Sequence, residues 1–435
     1  MKKKLFVLSM DAMVREDVAQ MLTKPNFARI MSKRAEVIGL RSVYPASTYP
    51  AHTTLMTGCY PSKHGVWANF PLKVGGDNIP HWPLYHKLID AEDLFAAAKR
   101  AGCSTAAVYW PITGCNPNID HVINEYFFYY PDEDKDDESI EAVFRSMGSD
   151  DVAIRAVREN LPLFPKKNGG PARDGGFDPF INGCTCSLIR NAQPDVLLVH
   201  NCLLDTTRHA NGVFGAALDA ALDVMDAWLG DILAAMEEAG VYDDTDFVIL
   251  SDHGQRDYTR TVKLNVLLQR GGFIDLAPDG TIYDWRAFAA SNGQSATVHL
   301  INSQSERLYN NVKTYLERLK DEGAWGIESV FTRDELCDKY GQDGPYSFMV
   351  EAVDGTAFVG QLTGEPVTEL KAVKAGHGYE PEKGPKPIFL AHGPSFKDGA
   401  MIDAAELADV APTLAAVLGD TLPEAEGRVL HELLK

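Results

Sequence analysis

Nowhere in the 435 residues is there an apolar run near the roughly 18 to 20 residues that a membrane span requires. The closest stretch, Val196 to Leu204, carries His200 and Asn201 inside it, so no membrane partner is expected. Cysteine is scarce. The seven (Cys59, Cys103, Cys115, Cys184, Cys186, Cys202, Cys337) are odd in number and scattered, which argues against a disulfide framework and for a reducing compartment. The opening Met1-Lys2-Lys3-Lys4 starts like an export signal, but the apolar run from Leu5 stops at Asp11, short of the length export needs. An unprocessed, cytoplasmic chain is expected. Basic residues are in deficit, 41 against 61 acidic, for a net charge of −20. Such a surface repels a long phosphate backbone and excludes nucleic-acid polymers as partners. Internal repeats, low-complexity tracts and glycine-rich phosphate loops of the P-loop or dinucleotide kind are also missing.

What is present suits a sizeable core: 45% hydrophobic and 23% charged residues. Short apolar runs that end in polar residues alternate with amphipathic helical stretches, the habit of an α/β fold with a mainly parallel sheet. Strands are expected at Lys4–Ser9, Val37–Val43, Thr105–Tyr109, Asp195–His200, Asp246–Leu250 and Pro387–Leu390. Helices are expected at Asp93–Ala101, Ala216–Ala239 and Ala408–Leu418, each stopped by a glycine. Two regions break the alternation. Pro131 to Pro179 opens with an acidic run (Asp132, Glu133, Asp134, Asp136, Asp137, Glu138) and reads as a solvated loop with one helix. Residues 255–376, with glycine-rich turns and an amphipathic helix from Ser305 to Leu319, read as an inserted α+β cap subdomain. The remaining 1–254 and 377–435 would form the core.

Three strand ends carry a possible metal ligand: Asp11, Asp205 and Asp252-His253. In an open parallel sheet, ligands gather at the carboxyl edge of the strands, so distant residues can converge there. Asp205 and His209 are spaced i,i+4, one face of a helical turn. His377, in Gly376-His377-Gly378-Tyr379, is a further candidate on a flexible backbone. Carboxylate oxygen with imidazole nitrogen suits zinc, with manganese or iron as lesser alternatives, and two clusters suggest two ions per chain. Each residue alone is weak, since an Asp after a strand is commonly a cap or turn residue. Their co-occurrence in order carries the reading.

The segment Tyr44 to Gly58 should begin a helix near Thr48, with Pro50 tolerated in its first turn. Thr48 would cap that helix. A hydroxyl at a helix N-terminus also sits in positive potential, which favours an alkoxide and an incoming phosphate.

The succession Asp11, then Pro45-x-x-Thr48-Tyr49-Pro50-x-His52-x-Thr54-Leu55-x-Thr57-Gly58-x-Tyr60-Pro61-x-x-His64-Gly65, then Asp205-x-x-x-His209, Asp252-His253-Gly254 and Gly376-His377-Gly378-Tyr379 resembles the nucleotide pyrophosphatase/phosphodiesterase branch of the alkaline phosphatase superfamily. Asp409-Val410-Ala411-Pro412-Thr413-Leu414 is similar to that superfamily's C-terminal helix. The resemblance implies an alkaline-phosphatase-like core and a two-zinc site. One zinc would be held by Asp11, Asp252 and His253 and bind the hydroxyl of Thr48, the nucleophile; the other would be held by Asp205, His209 and His377. Asn69 matches the family's phosphate-binding asparagine. The chain departs from the pattern at Ser47, where many relatives carry lysine, at Ala51, where they carry asparagine, and at Arg208, where they carry glycine. Arg208 would set a positive group near the substrate.

The expected function is therefore zinc-dependent hydrolysis of small phosphodiesters or nucleotide pyrophosphates through a covalent phosphothreonine. Phosphonoacetate-hydrolase-like or phosphomonoesterase activity on the same metals is the nearest alternative, and a catalytically inactive, metal-stabilised binding protein is the alternative of another class. The partner is a small phosphoester. Oligomeric state stays open, a homodimer being one option. Other features are set aside. Cys184-Thr185-Cys186 with Cys202 lacks structural-zinc spacing, and the aromatic run Tyr126 to Tyr130 reads as packing or a subunit contact rather than a stacking site. His52, His64, His81, His86, His121, His200, His299, His392 and His431 read as structural, with His64 nearest the site.

Overall fold

The computed structural model describes residues 3–70, 72, 74, 82–126, 136–165 and 176–435. Strands follow in chain order as β1 (Lys4–Met10), β2 (Ala35–Arg41), β3 (Thr105–Val108), β4 (His121–Ile123), β5 (Val196–Asn201) and β6 (Thr245–Leu250). Then come β7 (Arg256–Lys263), β8 (Ile274–Leu276), β9 (Ile282–Trp285), β10 (Ala287–Ser291), β11 (Ser295–Leu300), β12 (Ile327–Thr332), β13 (Phe348–Ala352), β14 (Gly355–Val359) and β15 (Val367–Gly376), and last β16 (Phe389–His392) and β17 (Met401–Glu406).

Eight of these form one sheet in the order β17-β2-β16-β6-β1-β5-β3-β4. The side-chain period of two sends Phe6 and Leu8 into one apolar layer and Leu5 and Val7 into the other. Both faces of the central strands are thus buried under helices, which is why they read as continuous apolar runs. All neighbours are parallel except β16, which runs antiparallel to both β2 and β6. The preceding strand β15 ends at Gly376 on the carboxyl side of the sheet, so the chain re-enters from that edge and runs the other way. This alkaline-phosphatase-like α/β architecture is the expected fold class, with the short β4 and the edge strand β17 added.

In chain order, β7 to β15 form smaller sheets of four, three and two strands around an apolar cluster of their own. The helix Glu306–Asp321 covers that cluster through Val312, Leu316 and Leu319.

The reading of Pro131 to Pro179 as a loop with one helix is corrected. Its described part holds two helices, Asp137–Ser146 and Asp151–Asn160, and the start of a third, Asp178–Asn191. Ile140, Phe144, Ile154 and Val157 point into the core. Asp136 caps the first, accepting from Ser139 N–H at 2.8 Å, and Asp137 and Glu138 occupy its first turn. Part of the acidic run is therefore the charge that a helix N-terminus favours. Asp132, Glu133, Asp134, His81 and the aromatic residues 127–130 lie outside the described residues; Tyr126 packs against Phe144. All seven cysteines are free. Among the described residues no helix is long and apolar enough to cross a membrane.

Candidate metal and phosphoryl-transfer site

Register explains the convergence of the site. Met10 of β1 pairs with Asn201 of β5, and Ser9 pairs with Leu250 of β6. The carboxyl ends of the three central strands are level, and Asp11, Asp205 and Asp252 leave the sheet on one rim. Ligand atoms of Asp11, Asp252 and His253 lie within 4.8 Å of one another, and so do those of Asp205, His253 and His377. His253 thus faces both groups. The expected second set had His209 in that place. His209 Nε2 lies 3.4 Å from Asp205 Oδ2, one turn along the helix Leu203–Asn211. Its Nδ1–H donates to the Ala375 carbonyl at 2.8 Å, which fixes the ring with Nε2 on the Asp205 side.

Asp11 and Asp252 are almost fully buried, yet Asp11 Oδ1 and Asp252 Oδ2 have no hydrogen-bond partner. Burial and the charges of Asp252 and Asp205 push the Asp11 carboxyl well above the usual range. Buried like charges with unsatisfied oxygens are costly unless a cation sits among them. Burial and the neighbouring His253 lower His377 to about 3, and burial lowers His253 to about 4. Neutral imidazoles beside unpaired carboxylates are the donor set a divalent ion needs.

Ser47, not Thr48, is the cap residue of the helix Thr48–Thr57, and its side chain makes no capping bond. Thr48 is the first helical residue. Its hydroxyl is therefore turned to the site, 3.3 Å from His253 Nε2. The Ser47 hydroxyl lies 3.4 Å from His377 Nδ1. Backbone bonds tie the two segments, Gly378 N–H to the Ala46 carbonyl at 2.7 Å. Gly378 has φ 87°, and a Cβ there would overlap the Asn292 carbonyl. Glycine beside His377 thus serves close approach and a left-handed turn rather than flexibility.

Asn69 Oδ1 accepts from Tyr49 N–H at 2.9 Å. A backbone donor fixes the amide orientation and leaves the Nδ2 donors on the wall of the cavity that Asn69 lines. This cavity, about 400 Å³, is also lined by Thr48, Asp11, Asp205, His209 and His377. Trp82 stacks on Tyr49 at 4.8 Å and packs against Phe70 at 4.3 Å, which gives one side an aromatic wall. From the inserted segment, Tyr258, Asn292 and Phe358 complete it. Among the described residues no Lys or Arg lines it.

Three expectations are corrected. Arg208 is fully buried and bonds Asp17 and the Val213 carbonyl; it places no charge at the substrate. His64 is not the nearest of the remaining histidines. Its nitrogens meet Thr54 Oγ1 and Val66 N–H behind the helix. His52 and His200 are at the site instead. His52 Nδ1–H donates to the Thr48 carbonyl at 2.8 Å, and its Nε2 accepts from Ser9 Oγ at 2.8 Å. His200 Nε2 donates to Asp11 Oδ2 at 3.1 Å. Burial opposes a proton on His200, but Cys202 and Glu125 beside it hold the imidazole well above its ordinary range. Both positions carry a sequence signal: His52 is i,i+4 from Thr48, and His200 stands near a strand end on the same rim.

Fold and site together define a metal-dependent hydrolase with an alkaline-phosphatase-like core. The sequence profile described as type I phosphodiesterase / nucleotide pyrophosphatase matches residues 5–380. The chain belongs to that family. It is 21% identical over 427 residues to the bis(5'-adenosyl)-triphosphatase enpp4 of Xenopus laevis, covering 96% of this chain and 78% of that protein. It is 23% identical over 442 residues to ectonucleotide pyrophosphatase/phosphodiesterase family member 5 of Homo sapiens, covering 97% and 75%. The solved structure of human ectonucleotide pyrophosphatase / phosphodiesterase 5 superposes with a TM-score of 0.67 at 19% identity over 100% of both chains. An inactive threonine-to-alanine variant of the murine protein, in complex with AMP, superposes at 0.65 with 18% identity, again over 100% of both.

Proposed function

We propose that the chain is a zinc-dependent hydrolase of small phosphodiesters or nucleotide pyrophosphates that works through a covalent phosphothreonine at Thr48. The observation that carries this reading is the Thr48 hydroxyl, on the first residue of a helix and 3.3 Å from His253 Nε2, an imidazole that belongs to both ligand groups. Asp11, Asp252 and His253 would hold one ion, and Asp205, His209 and His377, with His253 close by, the other. Divalent cations bound there would supply positive charge that lowers the pKa of a hydroxyl and offsets the negative charge of a phosphoryl group.

The chain's own residues do the rest. Thr48 Oγ1 attacks phosphorus as the bond to the leaving oxygen breaks, and the positive end of the helix favours the incoming anion. The Asn69 Nδ2 group donates to a non-bridging oxygen, and its position is held through Tyr49 N–H. Water then displaces Thr48 from phosphorus, which releases a phosphomonoester and restores the hydroxyl. The aromatic wall of Tyr49, Phe70 and Trp82 suits a base or an aryl group. A monoester dianion asks for an extra cation. With Arg208 turned away, the diester reading is favoured over the monoester one. The inactive threonine-to-alanine relative with AMP supports both the nucleophile and a nucleotide-like ligand. The inserted residues 255–376 would act as a cap, since several of them line the cavity.

The decisive test is Thr48→Ala. Turnover of an aryl phosphodiester should fall by on the order of 10³-fold or more, with zinc content unchanged near two ions per chain. Retained turnover removes Thr48 from the mechanism.

A further inference from the structure

Gln255 follows His253 by two residues and leads into β7. It is fully buried. Its Nε2 donates to Asp205 Oδ1 at 2.5 Å and to the Asp205 carbonyl at 3.0 Å. The amide cannot be turned the other way, because its carbonyl would then meet a carboxylate and a second carbonyl with no donor between them. One oxygen of Asp205 is thereby occupied. The other, Oδ2, faces His209 Nε2 at 3.4 Å. A donor on Oδ1 fixes the rotation of that carboxylate.

We propose that Gln255 is a positioning residue of the second cation site: it orients Asp205 so that Oδ2 alone is presented beside the imidazoles. This rests on the reading of Asp205 as a ligand. The same four-residue segment, 252–255, then supplies two ligands to one group and the orienting donor to the other, so the two sites are coupled through one turn of backbone. A ligand's hydrogen-bond partner fixes its geometry, and removing such a partner costs about 10- to 100-fold in metal affinity.

The test is a zinc titration of the full-length protein against a chromophoric chelator, with the melting temperature of the metal-free protein recorded alongside. Gln255→Met keeps volume and removes the donor; Gln255→Leu is the second apolar replacement, should the first fold poorly. The expected result is one zinc bound as tightly as in the unaltered protein and the other weakened by about 10- to 100-fold, with the metal-free melting temperature little changed. The visible spectrum of the cobalt-loaded protein should change at one ion only. Two zinc affinities within twofold of the unaltered protein, in whichever variant folds, would overturn the role. Failure of the underlying reading looks different: Asp205→Asn would then leave both ions in place, whatever Gln255 does.

Discussion

The buried hydroxyl of Tyr44 donates to Glu351 Oε2 at 2.9 Å, and so joins the inserted segment to the stretch of core that carries Thr48. Glu351 lies on β13. Its other oxygen accepts from Glu380 N–H and from Lys383 Nζ, both at 3.2 Å. One carboxyl thus gathers the residue four before Thr48 and the residue three after His377. This arrangement, absent from any local pattern, holds the nucleophile in register with a ligand.

It makes a pH-dependent contribution to stability. Burial outweighs Lys383, the Glu380 amide and Tyr44, and pushes Glu351 from 4.5 to about 7. The folded chain keeps the proton where the unfolded chain has released it. The contribution is therefore fully present below about 4.5 and is lost as pH rises through about 7. Its size is about 3 kcal/mol. Denaturant unfolding at several pH values should show that Glu351→Gln flattens this slope; identical slopes for both proteins would contradict it.

Asn69 should matter for rate more than for binding. Asn69→Ala is expected to lower kcat by about 10²-fold, as loss of a positioned donor does, with KM little changed. Asn69→Asp keeps the acceptor for Tyr49 N–H but sets a negative charge at the phosphoryl oxygens, so it should be slower still. Steady-state kinetics on an aryl phosphodiester decide this, and an active Asn69→Asp enzyme rules the donor role out.

Arg208 should affect folding and leave substrate choice alone. Arg208→Leu strands the buried carboxylate of Asp17, an expected loss of about 3 to 5 kcal/mol. The ratio of diester to monoester turnover should stay the same in the folded fraction. A shift in that ratio would return Arg208 to the substrate.

Stripping the metal should destabilise the chain, because Asp11 Oδ1 and Asp252 Oδ2 then lie buried without a hydrogen bond, beside imidazoles that burial keeps neutral. Calorimetry with and without a chelator should show a lower Tm for the stripped protein and recovery on adding zinc, with a dependence on free zinc set by mass action. An unchanged Tm would mean that these oxygens bind no ion.

The sequence alone determined the elements and their ends. Apolar runs and helix periods place β1, β5 and β6, and the first acidic residues beyond them are Asp11, Asp205 and Asp252, which a parallel sheet collects on one rim. Thr48 follows from the local signature of a helix start. Tertiary structure alone decided which groups each side chain meets. Arg208 turns to Asp17, 191 positions away; His253 faces both ligand groups; His52 and His200 support Thr48 and Asp11; Gln255 holds Asp205, 50 positions away. The acidic residues from Asp136 cap a helix whose other face is core, a fact that needs Phe144 and its distant neighbours. Periodicity is local and is written along the chain. The pairing of a buried polar group is a choice among partners that only the packed molecule brings within reach.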